Sequence, residues 1–121
     1  MQGKVIDGPV LLLRLSAEEY ATIQEVLAFV PHMDLAIIGY PRQDTDRVAA
    51  RFADTPFSAR GEKELTLSRG HLSCLCSVFA AAYPPLSERR DVCECLDKLV
   101  DLMEQLSYFA DREWGDPPTI Q

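Results

Sequence analysis

Long apolar runs are missing from this chain: nothing approaches the eighteen or so consecutive apolar residues of a membrane span. The N-terminal stretch VLLLRL is broken by Arg14 and has no small-residue cleavage site after it, so no signal peptide is expected. A cytoplasmic location follows as the expectation, and there thiols stay reduced. Basic residues are also few. Twelve of them stand against nineteen acids, and the net charge of −7 argues against a phosphate-binding surface and hence against a nucleic-acid partner. Histidine is scarcer still, with only His32 and His71, neither beside a recognisable nucleophile pattern. Glycine-rich phosphate loops, a nucleophile elbow and H-E-x-x-H are all absent. These absences together predict neither an enzyme nor a cofactor.

What is present describes one ordinary domain. The length of 121 residues is enough to bury a core, and 47% apolar with 26% charged residues is the composition of a globule. Charge is distributed unevenly. Residues 1–41 hold two bases and five acids, 42–87 six and five, and 88–121 four and nine. An acidic last third repels nucleic acid and attracts basic proteins.

A degenerate repeat organises the chain. At a constant offset of 52, Leu13, Leu15, Ser16 and Val26 recur as Leu65, Leu67, Ser68 and Val78, while Tyr20, Ile23 and Leu27 recur as Leu72, Leu75 and Phe79. Alternating Leu-x-Leu followed by Ser reads as a strand running into a helix N-cap. Ser16 with Glu19 forms a capping box, and in the second copy His71 stands where the glutamate would be. A second helix follows in each unit, where Val48 and Phe52 correspond to Val92 and Leu96. The predicted fold is α+β: two strand–helix–helix units, about 10–54 and 62–110, closing as one pseudo-symmetric domain with a small antiparallel sheet covered by helices. An acidic tail occupies 111–121. Asp7-Gly8 between apolar runs predicts a hairpin weakened by Pro9, and a second hairpin is expected to turn near Gly61. Pro84 and Pro85 are expected to stop one helix and Ser87 to cap the next, which runs from about Glu88 to Ala110.

Four cysteines form two C-x-C pairs, Cys74/Cys76 and Cys93/Cys95. Helix residues two apart diverge by roughly 200°, so neither pair chelates one ion or closes a disulfide while its helix persists. The helical pattern places Cys76 and Cys95 on core faces, as small hydrophobes. A narrower alternative is a thiol- or metal-responsive site of His71, Cys74 and Cys93 or Cys95, with His71 and Cys74 on one face. The last helix places Val92, Cys95, Leu96, Leu99, Leu102, Met103, Leu106 and Phe109 on one side. Its other side carries Glu94, Asp97, Asp101 and Glu104 at a 3,4,3 spacing, a single acidic stripe that Lys98 can only partly offset through Glu94. Tyr108 and Trp114 follow, the latter among Asp111, Glu113 and Asp116. Aromatics amid acids suit the anchoring of a basic partner.

The run LRLSAEEYATIQEVLAFV, with IIGYPRQDTDRVAARF after it, resembles small bacterial immunity proteins of polymorphic and contact-dependent toxin systems. The resemblance rests on Leu13, Leu15, Ser16, Glu18, Glu19, Ile38, Gly39, Tyr40, Val48 and Phe52. The second unit departs from that pattern, with Gly70 and His71 in place of the acids and Tyr83-Pro84 in place of Gly-Tyr. The resemblance implies a non-catalytic cytosolic inhibitor of a cognate toxin. Glu94, Asp97, Asp101, Glu104, Tyr108 and Trp114 are the residues expected to meet that partner.

Overall fold

The computed structural model describes residues 1–6 and 10–107. Among them, strands β1 (Gln2–Ile6), β2 (Val10–Ser16) and β3 (Glu62–Ser68) form an antiparallel sheet in the order β1-β2-β3. The helices are α1 (Ala17–Ala28), α2 (Leu35–Ile38), α3 (Arg42–Ala53), α4 (Arg69–Leu86) and α5 (Arg90–Ser107), with one 3₁₀ turn at Val30–His32. The α+β reading therefore holds.

Strand period explains the sheet. Leu11, Leu13 and Leu15 are buried while Arg14 between them is exposed, so β2 turns one face to the helices and the other to water. On β3 the matching row is Lys63, Leu65 and Leu67. The register sets Leu11 opposite Leu67, Leu13 opposite Leu65 and Leu15 opposite Lys63. Leu13 thus pairs with its own counterpart in the repeat. Both strands also enter their helices through the same device. Ser16 Oγ accepts from Glu19 N–H at 3.1 Å, and Glu19 Oε1 accepts from Ser16 N–H at 2.9 Å. In the second copy Ser68 Oγ accepts from His71 N–H at 3.2 Å, and His71 Nδ1 accepts from Ser68 N–H at 3.4 Å. An imidazole completes the box where the first copy uses a carboxylate. His71 is buried, whereas its counterpart Glu19 is only half-buried. Beyond the junctions, Ile23, Val26 and Leu27 are buried like their counterparts Leu75, Val78 and Phe79, but the second helices pack differently. Helix α5 lies extensively along α4, whereas α3 only touches α1.

Helix α4 sits at the centre, touching α1, α2, α3, α5 and β3. Its burial from Gly70 to Ala82 accordingly spreads around much of its circumference. Against the expectation, Cys74 rather than Cys76 is the wholly buried member of its pair, because α3 packs against α4 where the sequence pattern implied an open flank. Two further expectations are corrected at its end. Pro84 and Pro85 lie within the helix, which continues to Leu86: both are exposed in its last turn, where water can serve the carbonyls they leave unbonded. Ser87 ends α4 instead of capping α5, its hydroxyl donating to the Pro84 carbonyl at 3.4 Å. Helix α5 starts at Arg90, with Cys93 N–H donating to the Arg89 carbonyl.

The chain does turn at Gly61, which takes φ +76° and is strongly favoured there. Among the described residues no strand precedes β3 in a hairpin, however: Ser58 N–H donates to the Glu62 carbonyl across the turn at 2.6 Å, but residues 56–58 do not extend the sheet. Lys63, only 3% exposed, explains that path. Its Nζ donates to the Phe52 carbonyl at 2.8 Å, in the last turn of α3 where unpaired carbonyls attract cations. The same ammonium stands 3.6 Å from the Tyr20 ring centroid and 4.8 Å from that of Phe57. The two rings meet edge to face at 5.5 Å. Arg51 then shields the outer edge of β3, with Nε donating to the Thr66 carbonyl and Nη2 to Thr66 Oγ1 at 2.8 Å. The β1–β2 pairing runs from Gln2 opposite Arg14 to Ile6 opposite Val10. Gly3 on β1 lies so close to Leu102 of α5 that no Cβ fits without moving that side chain.

Candidate functional site

The first turn of α1 and the first three turns of α5 enclose a cleft of about 500 Å³. Six carboxylates line it: Glu18 and Glu19 from α1, and Asp91, Glu94, Asp97 and Asp101 from α5. Opposing them are Lys98 and the amino group of Met1. Thr22 and Cys95 complete the lining. The acidic stripe read from the sequence is therefore one wall of a concave site, and α1 supplies the other. Glu104 is exposed on the same helix but lies outside the cleft. Lys98 stands among the acids in the cleft, and among the described residues it makes no ion pair with Glu94.

Not all six carboxylates are free to receive a ligand. Burial pushes the Glu19 pKa up, but hydrogen bonds from the Met1 ammonium and Ser16 outweigh this and leave it below the ordinary value. Asp91 is held by Arg89, whose Nε and Nη2 donate at 2.9 and 2.7 Å. Arg89 also reaches Glu25 on α1 at 2.8 and 3.0 Å, which lowers the Glu25 pKa and clips α1 to the start of α5. The Arg89 bonds to Asp91 bring that carboxyl down to about 2. Thr22 Oγ1 lies 3.1 Å from Asp91 Oδ2 and 3.2 Å from the Glu18 carbonyl, so its single proton serves one of them at a time. Glu18, Glu94, Asp97 and Asp101 are exposed and form the open part of the wall.

A second groove, about 670 Å³, runs between α3 and β3, but it mixes Arg47 and Arg51 with Asp54 and Glu64 and so carries no bias of sign. The cysteine alternative does not assemble. His71 Nδ1 is engaged by Ser68, with Ser68 Oγ 2.8 Å away, and Cys93 Sγ reaches toward the Ser87 carbonyl at 3.5 Å. Among the described residues no three His, Cys, Asp or Glu side chains converge as a metal site requires, and all four cysteines are free thiols. Burial raises the Cys74 thiol to about 12 and those of Cys76 and Cys95 to about 11, which suppresses the reactive thiolate.

Sequence reasoning found Glu94, Asp97 and Asp101 through their helical spacing. It treated Glu18 and Glu19 as capping residues only, and it missed Asp91, Thr22 and Cys95 as cleft residues. Thr22 and Asp91 are 69 positions apart, and no local pattern announces such a contact. Tyr108 and Trp114, expected as aromatic anchors, lie outside the described residues, as does the end of the predicted helix at 108–110. Among the described residues no helix is long and apolar enough to cross a membrane. Compared with known protein families, curated proteins and solved structures, the chain matches none.

Proposed function

We propose that this is a non-catalytic binding protein whose acidic cleft receives a basic surface of a partner protein, and that the partner is a toxin effector which it inhibits. The observation that carries this reading is the convergence of six carboxylates from two helices on one cleft, where Arg89 holds Asp91, the Met1 ammonium holds Glu19, and four exposed acids face Lys98. Like charges so placed repel by a few tenths of a kcal/mol per helix neighbour, a penalty that a cationic partner removes. The immunity-type resemblance of residues 13–52 supplies the class of partner, and a toxin nuclease with a basic substrate groove has the complementary charge.

The test is to read the genes that flank this one for a large toxin reading frame, co-express that frame with this protein, and follow association of the purified pair by stopped flow. Relief of growth arrest is expected. Replacing Asp97→Lys together with Asp101→Lys slows association and removes its dependence on salt. Association kinetics that the double reversal leaves unchanged would refute the role of the acidic surface.

A further inference from the structure

The side of α5 next to the acidic stripe carries apolar residues that the core does not absorb. Val92, Cys95, Leu99, Leu102 and Leu106 are buried and form the inward seam. Leu96 and Met103 reach the core only in part, and Val100 is 43% exposed. At about 100° per residue these three follow one line displaced from the inward seam, bounded on its far side by Asp97 and Glu104. Helix α4 contributes a matching line. Cys76 is half-buried, Ala80 is exposed and Tyr83 is 43% exposed, at i, i+4 and i+7. The two helices are joined by residues 87–89 and pack along their lengths, so they run antiparallel. That brings Cys76 level with Val100 and Ala80 level with Leu96. The result is a shallow apolar seam along the outer face of the α4–α5 hairpin, with small residues at its floor, Tyr83 and Val100 standing proud, and carboxylates along one border only.

We infer that this seam docks an amphipathic helix whose apolar face carries leucine-like side chains and whose one edge carries Lys or Arg. Length and charge both favour that occupant. From Leu96 to Met103 and across to Tyr83 the seam is roughly 15 Å long, about three helical turns. Its one-sided acidic border requires a ligand that is basic on one edge and not throughout. An extended basic peptide satisfies the stripe but leaves the seam wet, and a wholly apolar helix leaves the carboxylates facing hydrocarbon. The inference rests on the proposed reading that the partner is a basic protein, and it adds which element of that partner makes contact.

The probe is a stapled synthetic helix of about 18 residues, with leucines at i, i+3, i+4 and i+7 and lysines along one edge. Binding to the full ¹⁵N-labelled chain is followed by NMR and fluorescence anisotropy. Shifts are expected at Tyr83, Leu96 and Val100. The variant Tyr83→Ser/Val100→Ser, altered only at exposed positions and so still folded, is expected to bind roughly tenfold more weakly, the loss of about one hot-spot contact. The cleft variant Glu18→Gln is measured beside it to separate the seam from the cleft, and Glu64→Gln, on the outer face of the sheet, is the variant expected to leave the affinity unchanged. No binding, or binding equal in the seam variant, overturns the inference. Equal binding by a peptide with serines for leucines, or loss only in Glu18→Gln, also overturns it while leaving the acidic-cleft reading intact. If instead a peptide with glutamates for lysines binds as well, the basic-edge assignment is wrong and the charge argument beneath it fails too.

Discussion

Phe57 gives the sharpest test of how this sheet is held to its helices. At 48% exposure its loss as a hydrophobe is modest, yet it closes an aromatic clamp over the buried ammonium of Lys63. The replacement Phe57→Leu keeps apolar bulk and removes the ring. A cation–π contact partly shielded from water contributes about 0.5–1 kcal/mol, and the edge-to-face contact with Tyr20 adds about 0.5 kcal/mol or more. Phe57→Leu is therefore expected to destabilise by about 1–1.5 kcal/mol, a fall of several degrees in Tm. For Lys63→Met alone two effects oppose each other. It forfeits a charge-assisted bond of about 1.5–3 kcal/mol to the Phe52 carbonyl but also removes the desolvation penalty of a buried cation. The double-mutant cycle cancels that penalty. In urea unfolding followed by circular dichroism, with unchanged m-values, the two substitutions should couple by about 0.5–1 kcal/mol. Additivity within about 0.3 kcal/mol would refute the clamp and reduce Phe57 to a loop residue that merely rests there.

Other expectations follow from the same geometry. Gly3→Ala sets a methyl against the Leu102 Cδ atoms, which must shift, and should destabilise by about 1 kcal/mol in the same unfolding assay, with Leu102→Val removing most of the difference between Gly3 and its alanine variant. The pKa of Asp91 is lowered in the fold, so its stabilisation is complete above the unfolded value of 3.8 and is lost as pH falls through about 2. Carboxyl-detected NMR should place its titration near the lower figure. Arg89→Ala should bring it back toward the upper one, and any stability difference between the two proteins should fade between those pH values. Alkylation mapped by mass spectrometry at pH 8 should label the partly exposed Cys93 first, Cys76 slowly, and Cys74 and Cys95 only on unfolding. Early labelling of Cys74 would contradict its place against α3.

The features legible in the sequence were those that a period or a cap encodes within a few residues. Leu-x-Leu-Ser gave both strand-to-helix junctions, and the 3,4,3 spacing of Glu94, Asp97, Asp101 and Glu104 gave one wall of the cleft. Features that depend on what a distant element covers were not legible. Helical spacing assigned Cys76 to the core because it cannot see that α3 covers Cys74. Lys63 occupies a core-facing strand position that pattern alone would give to Leu or Val, and its partners come from α1, α3 and the 54–61 loop. The Pro84–Pro85 pair misled for a different reason. A proline rule counts lost hydrogen bonds, but in an exposed last turn water replaces them.

The pairing of β2 has a consequence for how this chain is made. β2 has a near neighbour in β1 and a remote one in β3, so by the time α1 is complete the ribosome has delivered only one of its two partners. Leu11, Leu13 and Leu15 then sit on a two-stranded ribbon covered by α1 alone, because α5, which also packs on β2, has not yet been synthesised. Such a ribbon is marginal in water and offers an unpaired edge to any other strand. The nascent protein is thus most exposed to misassociation while residues 29–68 are emerging, and slow translation across that interval should lower its soluble yield more than slow translation later on.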